Sequence, residues 1–183
     1  MDVLFKPTKV SELRKGIKLR QRRGDRYTYI YDAVDNTLKQ MNKIRGRKAI
    51  VLFSDGYGAG TFSSAKDNLR EAEENEALIY TVQLDTSFPT TASYRTKAAD
   101  YMRGLAEITG GRYYQMQDIA DLEKTFAKIS EELSRQYSLG YYPKQLEAGQ
   151  KRQVRQIKVK MRQPNLVVRA RRSYVVEPQK NSK

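Results

Sequence analysis

The sequence contains no cysteine, no histidine and no tryptophan among its 183 residues. Without cysteine, the chain cannot form a disulfide, a thiolate metal site or a cysteine nucleophile. Without histidine, a Ser-His-Asp triad, a histidine-bearing zinc site and an imidazole proton shuttle are excluded as well. Any metal ion bound by this chain must therefore be a hard cation held by oxygen atoms.

Long apolar runs are also lacking, since no stretch approaches the roughly 18 residues that a membrane-spanning helix needs. Met1 leads directly into Asp2 and a short apolar run, so we expect no signal peptide in this chain. The sequence has neither a Walker A loop nor a Gly-x-Ser-x-Gly turn. Metal-assisted hydrolysis at Asp55 is the one catalytic alternative left, and we expect a protein that is not an enzyme.

Positive charge is abundant but unevenly distributed. The formal net charge is +14, with +9 in residues 1–48, −5 in residues 49–143 and +10 in residues 144–183. Nucleic acid, an anionic membrane surface or an acidic partner could each attract such basic ends. No nucleic-acid recognition motif accompanies them, so we favour a solvated charged face. A basic polyanion- or nucleic-acid-binding α/β protein remains the alternative function.

Helical and strand patterns alternate along most of the chain. Helical spacing of apolar residues predicts helices at 11–19, 29–44, 98–108 and 119–133, and a further helix is capped by Ser63 or Ser64 and ends near residue 76. Apolar runs predict strands at 3–5, 49–53, 77–82 and 112–114. The unbroken run at 49–53 indicates a strand buried on both faces, as in a parallel sheet covered by helices.

The pattern changes to β-strands near the end of the chain. Strands are predicted at 137–142, 154–161 and 166–174, the last two joined as a hairpin by a turn at 163–165. The sequence therefore predicts a Rossmann-like, doubly wound α/β core with a mostly parallel sheet at 1–136. A C-terminal antiparallel β extension at 137–176 and a disordered tail at 177–183 complete the predicted organisation.

Polar residues at strand and helix ends mark a candidate site. Asp55 follows the strand at 49–53, and Asp85 follows the next strand. Ligands of open α/β sheets bind at the carboxyl ends of the strands. Thr28 precedes the helix that leads into the strand at 49–53, so its hydroxyl is expected at the same edge. Thr28 and Asp55 would supply part of an oxygen-ligated cation site. Thr28 is explained equally well as a helix cap, whereas for Asp55 we favour a turn or capping carboxylate and for Asp85 a loop residue.

The segments 28–34, 48–56 and 77–82 together resemble a von Willebrand factor type A domain. The segments 105–114, 136–143 and 168–174 are similar to the bacterial VWFA-related subfamily of acidobacterial type. The resemblance extends from about residue 3 to residue 174. It implies the doubly wound fold, a protein ligand and a metal-ion-dependent adhesion site.

That adhesion site, in the family, takes a threonine matched by Thr28 and an aspartate matched by Asp55. It also takes an Asp-x-Ser-x-Ser loop that this sequence does not contain. The resemblance thus implies a degenerate site for Mg²⁺ or another divalent cation. It also implies a non-enzymatic protein-protein interaction or adhesion module in a secreted or cell-envelope protein.

The missing loop has a structural consequence in the family's fold, because it belongs to the first, central strand. Absence of that strand would leave unpaired edges in the sheet. We therefore expect self-association of this chain by strand pairing or domain swapping, in addition to binding of a separate protein ligand.

Overall fold

The computed structural model of the chain describes residues 29–58, 61–85, 91–137, 139–142, 144, 146, 151–163, 165 and 168–176. The predicted strand at 3–5, the predicted helix at 11–19, the candidate ligand Thr28 and the predicted tail at 177–183 lie outside the described residues. Residues 59–60 and 86–90 also lie outside them, so the loops that follow the first two strands are described only in part.

Helices and strands alternate through most of the described residues. The α-helices are α1 (Ile30–Met41), α2 (Ala65–Glu74), α3 (Ala92–Thr109) and α4 (Leu122–Ser134), and a 3₁₀ turn at Ile119–Asp121 precedes α4. The strands are β1 (Ala49–Ser54), β2 (Leu78–Leu84), β3 (Tyr113–Met116), β4 (Gln153–Gln156) and β5 (Ser173–Val176). This order confirms the predicted α/β class.

Strands β1, β2 and β3 form one parallel sheet in that order, with β2 in the middle. β1 pairs with β2 along its whole length, and Val51 lies opposite Tyr80 and Phe53 opposite Val82. β3 pairs with the second half of β2. The carboxyl ends of all three strands therefore meet at one edge, where ligands bind in sheets of this kind.

One face of the sheet packs against α1, α2 and α3. The buried apolar residues of this layer are Ile30, Val34, Leu38, Ala72, Ile79, Tyr101, Met102 and Leu105. Two buried polar groups there are hydrogen-bonded, which removes much of the cost of their burial. The Thr81 hydroxyl donates to the carbonyl of Met102 at 2.8 Å, and the Asn68 amide donates to the Tyr101 hydroxyl at 2.8 Å.

The opposite face of the sheet packs against α4. Tyr80, Val82, Met116 and Ile129 are the buried residues of this second layer. The Thr125 hydroxyl of α4 lies 3.4 Å from the sulfur of Met116, so this side of the helix lies over β3. Helices on both faces confirm a parallel sheet flanked by helices.

Strand β1 differs from its prediction. Its apolar run predicted burial on both faces, but exposure alternates along it, and Ala49, Val51 and Phe53 face outward. Val51 is 37% exposed and Phe53 42% exposed. The prediction was wrong because β1 forms one end of the described sheet and α4 lies over β2 and β3. The described residues leave this face of β1 uncovered.

Helix ends follow their capping residues. Ser64 is the cap of α2: its hydroxyl accepts the N–H of Asp67 at 3.2 Å, and Asp67 accepts the N–H of Ser64 at 3.2 Å. The helix predicted at 98–108 already begins at Ala92, because the Thr91 hydroxyl accepts the N–H of Tyr94 at 3.3 Å. Asp118 caps the 3₁₀ turn that precedes α4, since its carboxylate accepts the N–H of Ala120 at 2.8 Å.

Strands β4 and β5 form a separate antiparallel pair, with Val154 opposite Val175. A C-terminal antiparallel pair was predicted, but its strands are shorter and pair far from the predicted turn. Residues 157–163 are not in a strand. The same holds for the described residues of 166–172 and of 137–142. A longer hairpin in this register would place Lys158 opposite Arg171 and Lys160 opposite Arg169, and like charges directly opposite destabilise a strand pair.

Arginines attach the described part of 151–176, which we call the ribbon, to the helices of the core. Arg171 donates to the backbone carbonyl of Glu73 at 2.6 Å, at the end of α2. The other contacts are ion pairs to glutamates of α2, α4 and α3 respectively: Arg152 with Glu74, Arg169 with Glu132 and Arg172 with Glu107. The basic ribbon thus packs against the acidic middle of the chain.

Candidate functional site

Asp55 lies in a tight turn directly after β1. One oxygen of its carboxylate, Oδ1, accepts the backbone N–H of Tyr57 at 3.0 Å, and the N–H of Gly56 donates to the Ser54 hydroxyl at 3.1 Å. Gly56 has a φ of +80°, and a Cβ there would lie 3.1 Å from the carbonyl oxygen of Ala98. Glycine is therefore required at this position, and the turn fixes the Asp55 carboxylate at the edge of the sheet.

Gln83, near the carboxyl end of β2, links the turn after β1 to the first residue of β3. Its side-chain amide donates to the backbone carbonyl of Asp55 at 2.7 Å, and its oxygen accepts the Tyr113 hydroxyl at 2.6 Å. Gln83 is 6% exposed, so these hydrogen bonds form largely away from solvent. Hydrogen bonds are electrostatically stronger there than in water. Sequence reasoning missed Gln83. A single amide side chain in an otherwise apolar, buried strand indicates a residue that hydrogen-bonds neighbouring elements, and this signal could have identified it.

Two tyrosines stack beside Asp55. The rings of Tyr57 and Tyr94 are 5.4 Å apart and nearly parallel, at 11°. Burial raises the pKa of the Tyr57 hydroxyl, Arg95 lowers it, and the carboxylates of Asp85 and Asp55 raise it further. Ser54 pairs with Gln83, so Asp55 and Asp85 each follow one of two adjacent strands at this edge. Sequence reasoning found Asp85 and Asp55 but not the tyrosines, whose spacing along the chain gives no signal of their contact.

Asp85 is the second predicted carboxylate of this edge. It follows β2, its backbone N–H donates to the carbonyl of Met116 at 2.8 Å, and the residue is exposed. The structure thus brings Asp55 and Asp85 to one edge with the Tyr57 ring, as their positions at strand ends predicted. Thr28 lies outside the described residues, and the helix that follows it begins at Ile30.

Asp32 of α1 anchors the loop on the other side of this edge. Its carboxylate accepts the backbone N–H groups of Thr61, Phe62 and Ser63 at 2.8, 3.0 and 2.9 Å. The hydrogen bond from Thr61 has the largest effect, and together with the other two it holds the pKa of Asp32 below its ordinary value. Sequence reasoning missed Asp32, because acidic residues commonly stabilise the first turn of a helix and such a residue does not by itself indicate a site.

The Asp32 contacts predict a pH dependence of stability. Because the folded-state pKa is lowered, the carboxylate stabilises the fold above its unfolded pKa of about 4, and this contribution is lost as the pH falls through the folded value. We expect Asp32→Asn to lower the urea midpoint at neutral pH, and the gap from wild type to close in acid. Asp100→Asn, which removes an exposed carboxylate on α3, is the control and should change little. An Asp32→Asn deficit that does not shrink in acid would contradict this explanation.

The described residues do not by themselves fit the predicted cation site. Mg²⁺ and Ca²⁺ take six or more oxygen ligands. In the described part of the chain no three acidic side chains come together as a metal-binding group. Asp55 Oδ1 accepts the N–H of Tyr57, and the Ser54 hydroxyl lies 3.5 Å from it. We therefore derive no step of binding through a metal ion.

Comparisons with known proteins give little beyond this geometry. No protein-family model matches the chain, and no curated protein matches it. A solved structure described as an uncharacterized membrane spanning protein from Vibrio fischeri is similar at 20% identity with a TM-score of 0.40, covering 54% of this chain. The match spans about half of that protein, 52% of its length. None of the described helices is long and apolar enough to cross a membrane.

Proposed function

We propose that the chain is a non-catalytic protein-binding module of the von Willebrand A type, with a Rossmann-like doubly wound sheet. It binds its protein ligand at the carboxyl edge of the sheet, through Asp55. The observation that carries this proposal is that Asp55 and Asp85 follow two paired strands at that edge, where Tyr57 stacks on Tyr94. A binding role is favoured over a catalytic one because the sequence offers neither histidine nor cysteine.

The chemistry of this edge suits a basic side chain of the ligand. Two carboxylates, Asp55 and Asp85, outnumber the one cation beside Tyr57, Arg95, so the edge attracts a further cation, and the outer faces of the stacked tyrosine rings add cation–π attraction. Oδ2 of Asp55 accepts no hydrogen bond from the described residues and is free to receive one. Because the described residues do not complete a cation site, Asp55 would contact the ligand directly rather than through a metal ion.

The edge is also held rigid, which favours binding. The Asp55 turn is fixed by the N–H of Tyr57 and by the Gln83 amide, and the loop at 61–63 is fixed by Asp32. A surface that is already ordered loses less conformational entropy when a ligand binds. Binding at this edge therefore requires little further ordering of the protein.

The alternative function, binding of a polyanion through the basic ends, gains no support from the described residues. Arg152, Arg169 and Arg172 pair with glutamates of the core, and Arg171 binds backbone carbonyls. A cation already paired with a carboxylate releases less free energy when it meets a phosphate, because that pair must first break. These four arginines thus attach the ribbon to the core.

A random peptide library displayed on phage, panned on the purified protein, tests the proposal. We expect enriched peptides to contain arginine or lysine, and their affinity to fall about tenfold for Asp55→Asn, since a hydrogen bond to a charged group contributes about 1.5–3 kcal/mol. Asp100→Asn, with an exposed carboxylate elsewhere on the core, is the matched control and should bind as wild type does.

Two results would overturn the proposal. Peptides that bind Asp55→Asn as tightly as wild type would place the binding surface elsewhere. Enrichment of acidic peptides that bind only with added Mg²⁺ would show that a metal ion, and not the free carboxylate, makes the contact.

A further inference from the structure

Exposed apolar side chains are unevenly distributed between the two edges of the sheet. The carboxyl edge includes the starts of α1, α2 and α3 and the turn after β3, because each helix begins where a parallel strand ends. Four large apolar residues at these places are at least 42% exposed: Tyr29, Phe62, Tyr94 and Ile119. The connections at the opposite edge, 42–48, 75–77 and 110–112, contain one large apolar residue, Ile44, and it is half-buried.

This uneven distribution is typical of a binding face. Single exposed apolar residues are ordinary on protein surfaces, whereas aromatic residues concentrated on one face are typical of protein interfaces. The four residues come from four separate segments of the chain, so local sequence does not account for their common position at this edge. Asp55 and Asp85 lie at the same edge. The carboxyl edge therefore combines carboxylates with exposed apolar side chains.

Phe62 is the most exposed of the four, at 90%. Its backbone is nevertheless fixed, because its own N–H and those of Thr61 and Ser63 all donate to the Asp32 carboxylate. The cap of α2 at Ser64 then follows directly. An exposed ring on an ordered backbone can enter a contact with little loss of backbone entropy.

From these observations we infer that the protein ligand binds this edge through a segment in which an arginine or lysine stands beside aliphatic or aromatic residues, and that Phe62 is the apolar anchor of the contact. This inference rests on the proposed function, because the basic residue is the one that Asp55 receives. The apolar residues of the segment pack against the Phe62 ring and remove its surface from water. A segment with basic and polar residues alone would leave that surface exposed.

The composition of the peptides selected by phage display tests this inference. We expect their arginine or lysine to be accompanied by aliphatic or aromatic residues more often than in the unselected library. Panning the same library on Phe62→Ala should keep the basic residue and lose the apolar excess, because Asp55 remains and the anchor is removed. The variant should keep the urea midpoint of wild type, since the ring is 90% exposed and the N–H that binds Asp32 is retained.

The affinity of one selected peptide measures the size of the contact. We expect its dissociation constant to rise about tenfold in Phe62→Ala, because burial of a phenylalanine ring contributes at least this factor. Phe62→Leu keeps an apolar side chain, so the rise should stay below about threefold. Leu139→Ala, which removes a 77% exposed apolar side chain beyond the end of α4, is the matched control and should bind as wild type does.

A lipid surface is the other partner that exposed aromatic residues attract. Sedimentation with phosphatidylcholine vesicles tests it, and we expect the protein to stay in solution, because the carboxylates of this edge are costly to remove from water. Cosedimentation that is lost in Phe62→Ala would overturn the inference and assign Phe62 to a membrane surface.

The outcomes separate this inference from the proposed function. Peptides that lose affinity in Asp55→Asn but bind Phe62→Ala as tightly as wild type would overturn the inference and leave the proposed function standing. Peptides that depend on Phe62 but not on Asp55 would overturn the assigned role of Asp55 and keep Phe62 as the anchor. Selected peptides without an apolar excess would overturn the predicted composition of the ligand segment.

Discussion

Gly111→Ala is expected to lower the free energy of unfolding by about 3 kcal/mol or more, the largest effect of any single substitution considered. Gly111 is buried between α3 and β3. A Cβ at this position would lie 2.1 Å from the carbonyl oxygen of Ile79 and 2.7 Å from its carbonyl carbon. Those are backbone atoms of the central strand β2, which cannot move aside without disturbing its pairing with both neighbours.

Urea unfolding followed by circular dichroism measures this effect, and Gly140→Ala is its control. A Cβ at Gly140 would meet no atom within 4 Å, so that variant should stay within about 0.5 kcal/mol of wild type. Equal stability of the two variants would mean that the turn between α3 and β3 does not approach β2 as closely as the structure shows.

Arg171→Gln is expected to destabilise the protein by about 2 kcal/mol, the second largest effect. The Arg171 guanidinium donates to the backbone carbonyls of Glu73 at 2.6 Å and Asn75 at 3.2 Å, where α2 ends. A cation at a helix C-terminus interacts favourably with the helix dipole, and hydrogen bonds that involve a charged group contribute about 1.5–3 kcal/mol. Glutamine is shorter and uncharged, so it loses both contributions and loosens the ribbon from the core.

The neighbouring Arg172 provides the matched control. Its ion pair with Glu107 is 2.9 Å long, but the two side chains are 65% and 44% exposed. Exposed pairs contribute about 0–1 kcal/mol, so Arg172→Gln should change the urea midpoint far less than Arg171→Gln does. Equal effects would show that charge loss in general, rather than the contact with the end of α2, accounts for the destabilisation.

The parallel core was predictable because its pattern is local. Apolar runs near 49–53 and 77–82, each followed by a polar turn, correspond to β1 and β2, and capping residues such as Ser64 set the helix starts. The exposure of Val51 and Phe53 was not predictable, because an apolar run looks the same in a central strand and in an end strand. Which strand ends the sheet depends on pairing between distant segments.

Of the candidate site, only the positions of the two carboxylates could be predicted from the sequence. Asp55 and Asp85 follow strands, and the carboxyl ends of parallel strands must meet at one edge. The bond from Gln83 to the Asp55 carbonyl and the stack of Tyr57 on Tyr94 depend on side-chain geometry between separate elements. No sequence spacing encodes these contacts, because each joins residues from two different elements of the chain.

The central claim is that a protein ligand binds at the Asp55 edge of the sheet. Amide chemical shifts of the ¹⁵N-labelled protein, recorded while an enriched arginine-containing peptide is added, test it most directly. The account predicts shifts concentrated at residues 55–58, at Asp85 and at Tyr94, and their loss in Asp55→Asn. Shifts confined to the ribbon, and unchanged in Asp55→Asn, would contradict it.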